Sequence, residues 1–209
     1  RPAENFDRII DGKNSLVIPG FVNTHTHAAM TLFRGYADDL SLMDWLQNKI
    51  WPAEAKLKKE DIYWGTLLAI AEMLKGGTTC FADMYFHMEE AARACQESGI
   101  RASLSQGLVG LDKTKGALGL RQSRSLVQNW HNKGDGRITI MLGPHAPYTC
   151  PPAYLHKVGE LAGELKVPIH IHLAETRGEV EESRQNYGKT PVELVNEIGL
   201  LEHNLLAAH

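Results

Sequence analysis

Cysteine is scarce in this chain of 209 residues. Its three cysteines, Cys80, Cys95 and Cys150, are an odd and scattered set without a C-x-x-C pair. Neither a disulfide framework nor a thiolate zinc site is therefore indicated, and we interpret all three as core or incidental thiols.

Long apolar runs and runs of one charge are also missing. No stretch approaches the roughly 18 unbroken apolar residues of a membrane span, and residues 1–5 lack the basic-then-apolar order of a signal peptide. The 22 Lys and Arg residues against 25 Asp and Glu give a formal net charge of −3 with no basic stripe. Nucleic acid and membrane partners are thus disfavoured, and the expected location is the cytoplasm.

What the chain does contain is a regular alternation of apolar β-rich runs and amphipathic segments. The predicted strands are 16–24, 78–85, 101–109, 137–143, 167–173 and 205–209. The predicted helices are 61–74, 88–97, 118–130, 152–165 and 191–198. This alternation indicates a parallel sheet covered by helices, either an open doubly wound sheet or a (β/α)₈ barrel. No G-x-G-x-x-G or P-loop follows any strand, so the commonest open-sheet signatures are absent.

Histidines concentrate at the ends of the predicted strands. The strand-end side chains are His25, His27, His145, His170, His172, Glu175 and His209. In a (β/α)₈ barrel the carboxyl ends of the strands form one face, so side chains far apart in sequence meet there. The sequence therefore predicts one constellation of imidazoles.

The H-x-H motif of His25 and His27 has a geometric reason. Residues i and i+2 of a strand point to the same side, so both imidazoles can reach one metal ion. Zinc and ferrous iron accept neutral imidazole, and three protein ligands plus a water describe a hydrolytic site. His172 is the natural third ligand. A single histidine of this kind is more often a satisfied core or surface residue, but the combination favours the metal site.

Six segments together resemble the amidohydrolase superfamily. They are PGFVNTHTH, TLFRGYADDLSLMDWL, GGTTCFADMYF, GPHAPYTC, HIHLAET and LLAAH. Within that superfamily they are similar to the 5′-methylthioadenosine/S-adenosylhomocysteine deaminases, on the branch that includes triazine hydrolases. The resemblance implies a metal-dependent hydrolase barrel, a TIM (β/α)₈ fold of the α/β class. About six β/α units would occupy residues 19–209, after a remnant of a small β-sandwich at 1–18.

The resemblance also implies a cofactor. His25, His27 and His172 would hold one divalent metal per chain, with zinc the first choice and Fe²⁺ the alternative. The family's fourth protein ligand, an Asp after the eighth strand, is not in this chain. The chain is therefore expected to be a portion of a longer enzyme, and to be a homo-oligomer.

Two catalytic residues follow from the same resemblance. Glu175 would transfer a proton to the substrate ring, and His209 would hydrogen-bond the attacking water. An alternative for Glu175 is an acid favoured by a helix N-terminus, since Thr176 follows it. Asp83 either orients a metal-bound histidine or caps the next helix.

A small-molecule nucleoside is the implied substrate. Glu54 would accept hydrogen bonds from the ribose hydroxyls, His145 would contact the nucleoside, and Trp45 would wall the pocket. The alternatives are a solvated helix residue for Glu54 and a core residue for Trp45. Arg121 and Arg124 are the nearby candidates for binding a substrate carboxylate.

Three functions stay open on the sequence. The first is deamination of adenosine-type nucleosides. The second is another amidohydrolase reaction on the same metal, such as guanine or cytosine deamination or triazine hydrolysis. The third is an inactive fragment or binding module that lacks the strand-eight Asp.

Overall fold

The computed structural model describes residues 7–209 as a parallel sheet with helices between its strands. The strands are β1 Phe21–Thr26, β2 Thr78–Tyr85, β3 Arg101–Leu108, β4 Ile138–Pro144, β5 Ile169–His172 and β6 Leu205–Ala208. The helices are α1 Leu42–Trp45, α2 Trp51–Glu54, α3 Lys59–Lys75, α4 Met88–Ser98, α5 Lys113–Trp130, α6 Pro152–Leu165, α7 Arg177–Tyr187 and α8 Pro191–Glu197. Short 3₁₀ helices span Ala28–Phe33 and Leu200–Glu202, and a π-helical turn at Leu46–Ile50 separates α1 from α2.

The order of the strands decides between the two predicted architectures. All six strands are parallel, and each pairs with its neighbour in the sequence, from β1 to β6. A doubly wound sheet would reverse its order at a switch point. His25 of β1 also lies 2.8 Å from His170 of β5, between Nδ1 and Nε2, so the sheet curls until these two strands face each other. The barrel prediction, with six β/α units, is confirmed.

The first strand was predicted too early. The ladder begins where Phe21 pairs with Thr78, whereas Leu16 and Val17 are 87% and 93% exposed and belong to no strand. An apolar run becomes a strand only where a neighbouring strand offers hydrogen bonds, and β2 offers none before Phe21. Residues 7–18 form neither strand nor helix, residues 1–6 lie outside the described residues, and the sandwich remnant at 1–18 stays a prediction.

Side-chain caps determine where helices begin, and the apolar periodicity of the sequence did not indicate these starts. The Asp112 carboxylate accepts the backbone N–H groups of Thr114 and Lys115 at 2.8 and 2.9 Å, so α5 begins five residues before the predicted 118. Helix α7 was not predicted because it buries few of its residues, and it begins at Arg177, directly after the N-cap Thr176.

The core lies between the sheet and the helices and holds the strand ends in place. One cluster surrounds Phe81 and Leu104 beneath α3 and α4, and the other surrounds Leu142 and Leu155 beneath α6. The segment between β1 and α3 is less regular, and side chains from its short helices line the same cavity as residues at the strand ends. None of the helices described here is long and apolar enough to cross a membrane.

Candidate active site

Three histidines converge at the carboxyl end of the sheet. His25 lies in β1, His27 follows it, and His172 ends β5. One ring nitrogen from each lies within 4.8 Å of the other two. The H-x-H spacing and the strand-end position thus bring together the three side chains that were predicted as metal ligands.

The hydrogen bonds of two of these rings define which nitrogen carries hydrogen. His27 Nδ1 lies 2.6 Å from the carbonyl oxygen of Met84, and His172 Nδ1 lies 2.7 Å from that of His145. A carbonyl only accepts, so both Nδ1 atoms donate and both Nε2 atoms hold lone pairs. These Nε2 atoms face each other at 3.3 Å. Two lone pairs at that distance repel unless a cation lies between them, so the arrangement fits a metal ion.

The three histidines carry no extra proton at neutral pH, because the pKa of each is lowered. Burial, and then the neighbouring imidazoles, lower the pKa of His25 to about 3. Burial also lowers the pKa of His27 and of His172. Three neutral imidazoles are a donor set that suits zinc or ferrous iron, and the residues present therefore fit a divalent metal.

Eight of the site residues predicted from the sequence line one cavity of about 600 Å³. These residues are His25, His27, Trp45, Glu54, His145, His172, Glu175 and His209. Most of the remaining lining is apolar or aromatic. The cavity is large enough for a small organic ligand and combines an apolar wall with a few polar groups, as ligand sites do.

Glu54 lines the cavity and is held there by a hydrogen bond, unlike a solvated helix residue. The Tyr85 hydroxyl donates to Glu54 Oε1 at 2.7 Å. Burial raises the pKa of the Glu54 carboxyl, while the phenol hydrogen bond lowers it. The second carboxylate oxygen has no hydrogen-bond partner among the described residues, and it can accept from a ligand. Tyr85, at the end of β2, was missed although the same strand-end position would have indicated it.

His145 presents an acceptor to the cavity. Its Nδ1 lies 2.8 Å from Thr149 Oγ1, and that hydroxyl donates to the Ala146 carbonyl at 3.1 Å. Nδ1 must then be the donor, which leaves Nε2 with a lone pair. Burial, followed by the neighbouring His172 and His27, lowers the pKa of His145 to about 3, so the ring is neutral at physiological pH.

The loop after β5 carries Glu175 into the same cavity. Glu175 Oε1 lies 3.9 Å from His209 Nε2, so the two predicted catalytic residues are neighbours. Ala174 has a φ of 59°, and the buried Glu179 carboxylate accepts the N–H groups of Ala174 and Glu175 at 3.1 and 2.8 Å. Glu179 was not among the residues predicted from the sequence. The T-x-x-E spacing from Thr176, which caps α7, was the signal for it.

Comparison with known proteins agrees with this geometry. The sequence profile described as the amidohydrolase family matches residues 16–209. The chain belongs to the amidohydrolase family. It is 58% identical over all 209 residues to a 5-methylthioadenosine/S-adenosylhomocysteine deaminase of Syntrophomonas wolfei, and 56% identical over 206 residues, 99% of the chain, to one of Dictyoglomus turgidum. The chain spans about half the length of these relatives, 48% of each.

A solved structure shows the same architecture for this amidohydrolase chain. An adenosine deaminase from Xanthomonas campestris with bound zinc superposes with a TM-score of 0.85 at 40% sequence identity. The match covers 91% of the chain and 44% of the solved protein.

Two further expectations for the amidohydrolase site are corrected. Arg124 is held on the outer surface by both carboxylate oxygens of Glu164, at 2.5 and 2.6 Å, and neither it nor Arg121 lines the cavity. Among residues 7–209, Asp83 is hydrogen-bonded to no histidine side chain and does not cap α4. Its Oδ1 accepts the N–H of Ala28 at 2.8 Å and so begins the 3₁₀ helix that follows His27.

Proposed function

We propose that this chain carries the catalytic face of a metal-dependent hydrolytic deaminase of adenosine-type nucleosides. It would convert 5′-methylthioadenosine or S-adenosylhomocysteine to the inosine derivative and ammonia. The observation that carries the proposal is the convergence of three imidazole nitrogens with Glu54, His145 and Glu175 on one cavity. The names of the relatives support the choice of substrate.

We propose that His25, His27 and His172 hold zinc, with Fe²⁺ as the alternative. The zinc bound in the solved deaminase supports this choice. A metal in such a site lowers the pKa of a water molecule from ~15.7 toward ~7 and so provides a nucleophile at neutral pH. The fourth ligand expected from the family is an Asp outside this chain.

Proton transfer is assigned to the pair at the cavity mouth. Glu175 would protonate the ring nitrogen next to the attacked carbon and then help ammonia leave. His209, 3.9 Å from the Glu175 carboxylate, would orient the attacking water. The Glu179 carboxylate would keep the Glu175 backbone in place while the proton moves.

Nucleoside binding is assigned to other residues that line the same cavity. Glu54, with one oxygen engaged by Tyr85, would accept from the ribose hydroxyls, because a carboxylate only accepts and has two oxygens for a vicinal diol. The His145 Nε2 lone pair would accept from an N–H of the nucleoside, and Trp45 would cover it with apolar surface. The presence of both Glu54 and His145 in the cavity favours the nucleoside over guanine, cytosine or a triazine.

Location and assembly are proposals as well. Three free cysteines support a reducing compartment, the cytoplasm. The outer edges of β1 and β6, which pair with nothing among residues 7–209, support a homo-oligomer or coverage by further chain.

Metal analysis together with ammonia release tests the function. Natural full-length protein should contain about one zinc per chain and release ammonia from S-adenosylhomocysteine or 5′-methylthioadenosine. His172→Ala should lose both properties. Ammonia from guanine or cytosine, or chloride from a chlorotriazine, without turnover of the nucleosides would show the second function. A protein that contains the metal but turns over none of these substrates would be a binding module.

A further inference from the structure

The first metal-site histidine is held differently from the other two. His27 and His172 each donate to a main-chain carbonyl, which cannot change its role. His25 Nδ1 instead faces Nε2 of a second imidazole, His170, at 2.8 Å. An imidazole nitrogen can donate or accept, so this contact alone leaves the hydrogen position of His25 undecided.

We propose that Ser105 and His170 are positioning residues that fix His25 in the tautomer able to bind the metal. The inference rests on the proposed metal site. Its starting observation is that Ser105 Oγ contacts both the Asp83 carbonyl oxygen, at 2.7 Å, and His170 Nδ1, at 3.1 Å.

The direction of these hydrogen bonds follows from the single hydrogen of the Ser105 hydroxyl. The Asp83 carbonyl can only accept, and it is the nearer partner, so the Ser105 hydroxyl donates to it. The serine oxygen then accepts, and His170 Nδ1 must be the donor. His170 Nε2 consequently holds a lone pair and accepts from His25 Nδ1.

The consequence reaches the metal site. With hydrogen on Nδ1, His25 has a lone pair on Nε2, as the other two histidines have. The opposite direction, with Ser105 donating to His170, would place hydrogen on His25 Nε2 and block a ligand position. The Asp83 carbonyl therefore orders the hydrogens through Ser105 and His170 to His25.

Because they are buried, Ser105 and His170 cannot exchange their hydrogen bonds for bonds to bulk water. Ser105 and His170 are both 0% exposed. Bulk water does not reach this position, so removal of the Ser105 hydroxyl leaves His170 Nδ1 without its acceptor. Outer hydrogen bonds of this kind usually change metal affinity about 10- to 100-fold when they are removed.

Two measurements on the natural full-length protein test the proposal. Long-range ¹H–¹⁵N NMR of the metal-free protein reads the His25 tautomer directly, and chelator competition reads zinc affinity. Wild type should carry hydrogen on His25 Nδ1. Ser105→Ala should show mixed tautomers and bind zinc roughly 10- to 100-fold more weakly. Ser123→Ala is the matched control, because Ser123 is also buried but has no hydrogen-bond partner among residues 7–209.

The outcomes separate this proposal from the function. Hydrogen on Nε2 of His25 in wild type would overturn it, whether or not the variant folds. Wild-type zinc affinity in Ser105→Ala would also overturn it and leave the deaminase proposal standing. Failure of the wild-type protein to bind zinc at all would instead remove the metal site on which the proposed function depends.

Discussion

At the scale of single residues, one hydrogen bond links Glu54 to the strand end beside the metal-site histidines. Tyr85 ends β2 beside the metal-site histidines, with its ring centroid 6.2 Å from that of His27. Its hydroxyl donates to Glu54 on α2. The carboxylate proposed to bind the sugar is thus held at a set place relative to the metal site, and burial together with the bond to Glu54 raises the pKa of Tyr85.

Glu54→Gln should weaken nucleoside binding and spare the metal. The amide oxygen can still accept from Tyr85, but the charged acceptor for the ribose is lost, which costs about 1.5–3 kcal/mol for a hydrogen bond to a charged group. We expect KM to rise about tenfold or more in steady-state assays, with unchanged zinc content. Glu60→Gln, at an exposed position of α3, is the control. Equal KM values for both variants would make Glu54 a structural residue only.

The buried histidines should make stability depend on pH. Burial lowers the pKa of His145 to about 3 and of His170 to about 4, from 6.5 in the unfolded chain. Below pH 6.5 the unfolded state binds more protons, so this stability is fully present above pH 6.5 and is lost as pH falls toward 4. Each of these two histidines contributes at most about 1.4 kcal/mol per pH unit.

Urea denaturation of metal-free protein at pH 7.5, 6 and 5 checks this. The free energy of unfolding should fall with pH, and His145→Gln should reduce the slope. His156→Gln should not, because His156 is exposed. A free energy of unfolding that stays constant between pH 7.5 and 5 would contradict the neutral histidine cluster.

Residue identity and position brought out the candidate metal ligands and the residues that line the cavity, but not the side chains that hold them in place. His25, His27 and Glu175 were identifiable because strand ends and the H-x-H and H-x-x-E spacings are local. Ser105 was not identified, because its partners Asp83 and His170 are distant in the sequence and become its neighbours only in the folded barrel.

At the scale of elements, one close contact positions the segment after β1. The Thr31 hydroxyl of the 3₁₀ helix donates to the Gly65 carbonyl of α3 at 2.8 Å. A Cβ at Gly65 would lie 2.7 Å from the Ala29 carbonyl oxygen. This contact with the backbone explains why a long helix has glycine in its middle, where alanine is normally preferred.

Gly65→Ala should therefore destabilise the protein, against helix propensity. We expect a loss of about 1–3 kcal/mol, as for other overpacked sites. Gly163→Ala in α6 is the matched control, because the nearest atom to its Cβ is His203 Cε1 at 3.6 Å, an ordinary contact. It should gain roughly 0.5–1 kcal/mol. Urea unfolding measures both, and shifts of the same sign would contradict the packing argument.

Elements with a clear pattern could be predicted, and the others could not. Strand β2 and helix α6 were found at their true bounds because apolar runs and proline or glycine boundaries are local signals. Strand β1 was misplaced because its neighbour decides where pairing begins. The π-helical turn at Leu46–Ile50 carries no pattern that separates it from an α-helix.

At the scale of the whole molecule, the sheet has two open edges. Among residues 7–209 no strand pairs with the outer side of β1 or of β6. Apolar side chains near the start of β1 are also exposed, including Leu16 at 87%, Val17 at 93% and Val22 at 61%. We propose that residues 1–18 belong to a small β-sandwich and 19–209 to the barrel, so that further chain or a second copy covers these surfaces.

The 209-residue chain by itself should not behave as a stable monomer. Open edges and uncovered apolar surface favour association, because closure of the barrel is what removes edges. Light scattering should give a mass above 23.2 kDa, or the melting transition should lack cooperativity. A cooperative 23.2 kDa monomer would show that six strands are sufficient.

The central claim is that His25, His27 and His172 hold one divalent metal through their Nε2 atoms. The most direct measurement is an anomalous difference map at the zinc edge from crystals of the zinc-loaded protein. We predict one peak per chain, with all three Nε2 atoms ~2.0–2.2 Å away. A peak bound elsewhere, or three rings turned so that no common focus exists, would contradict the account.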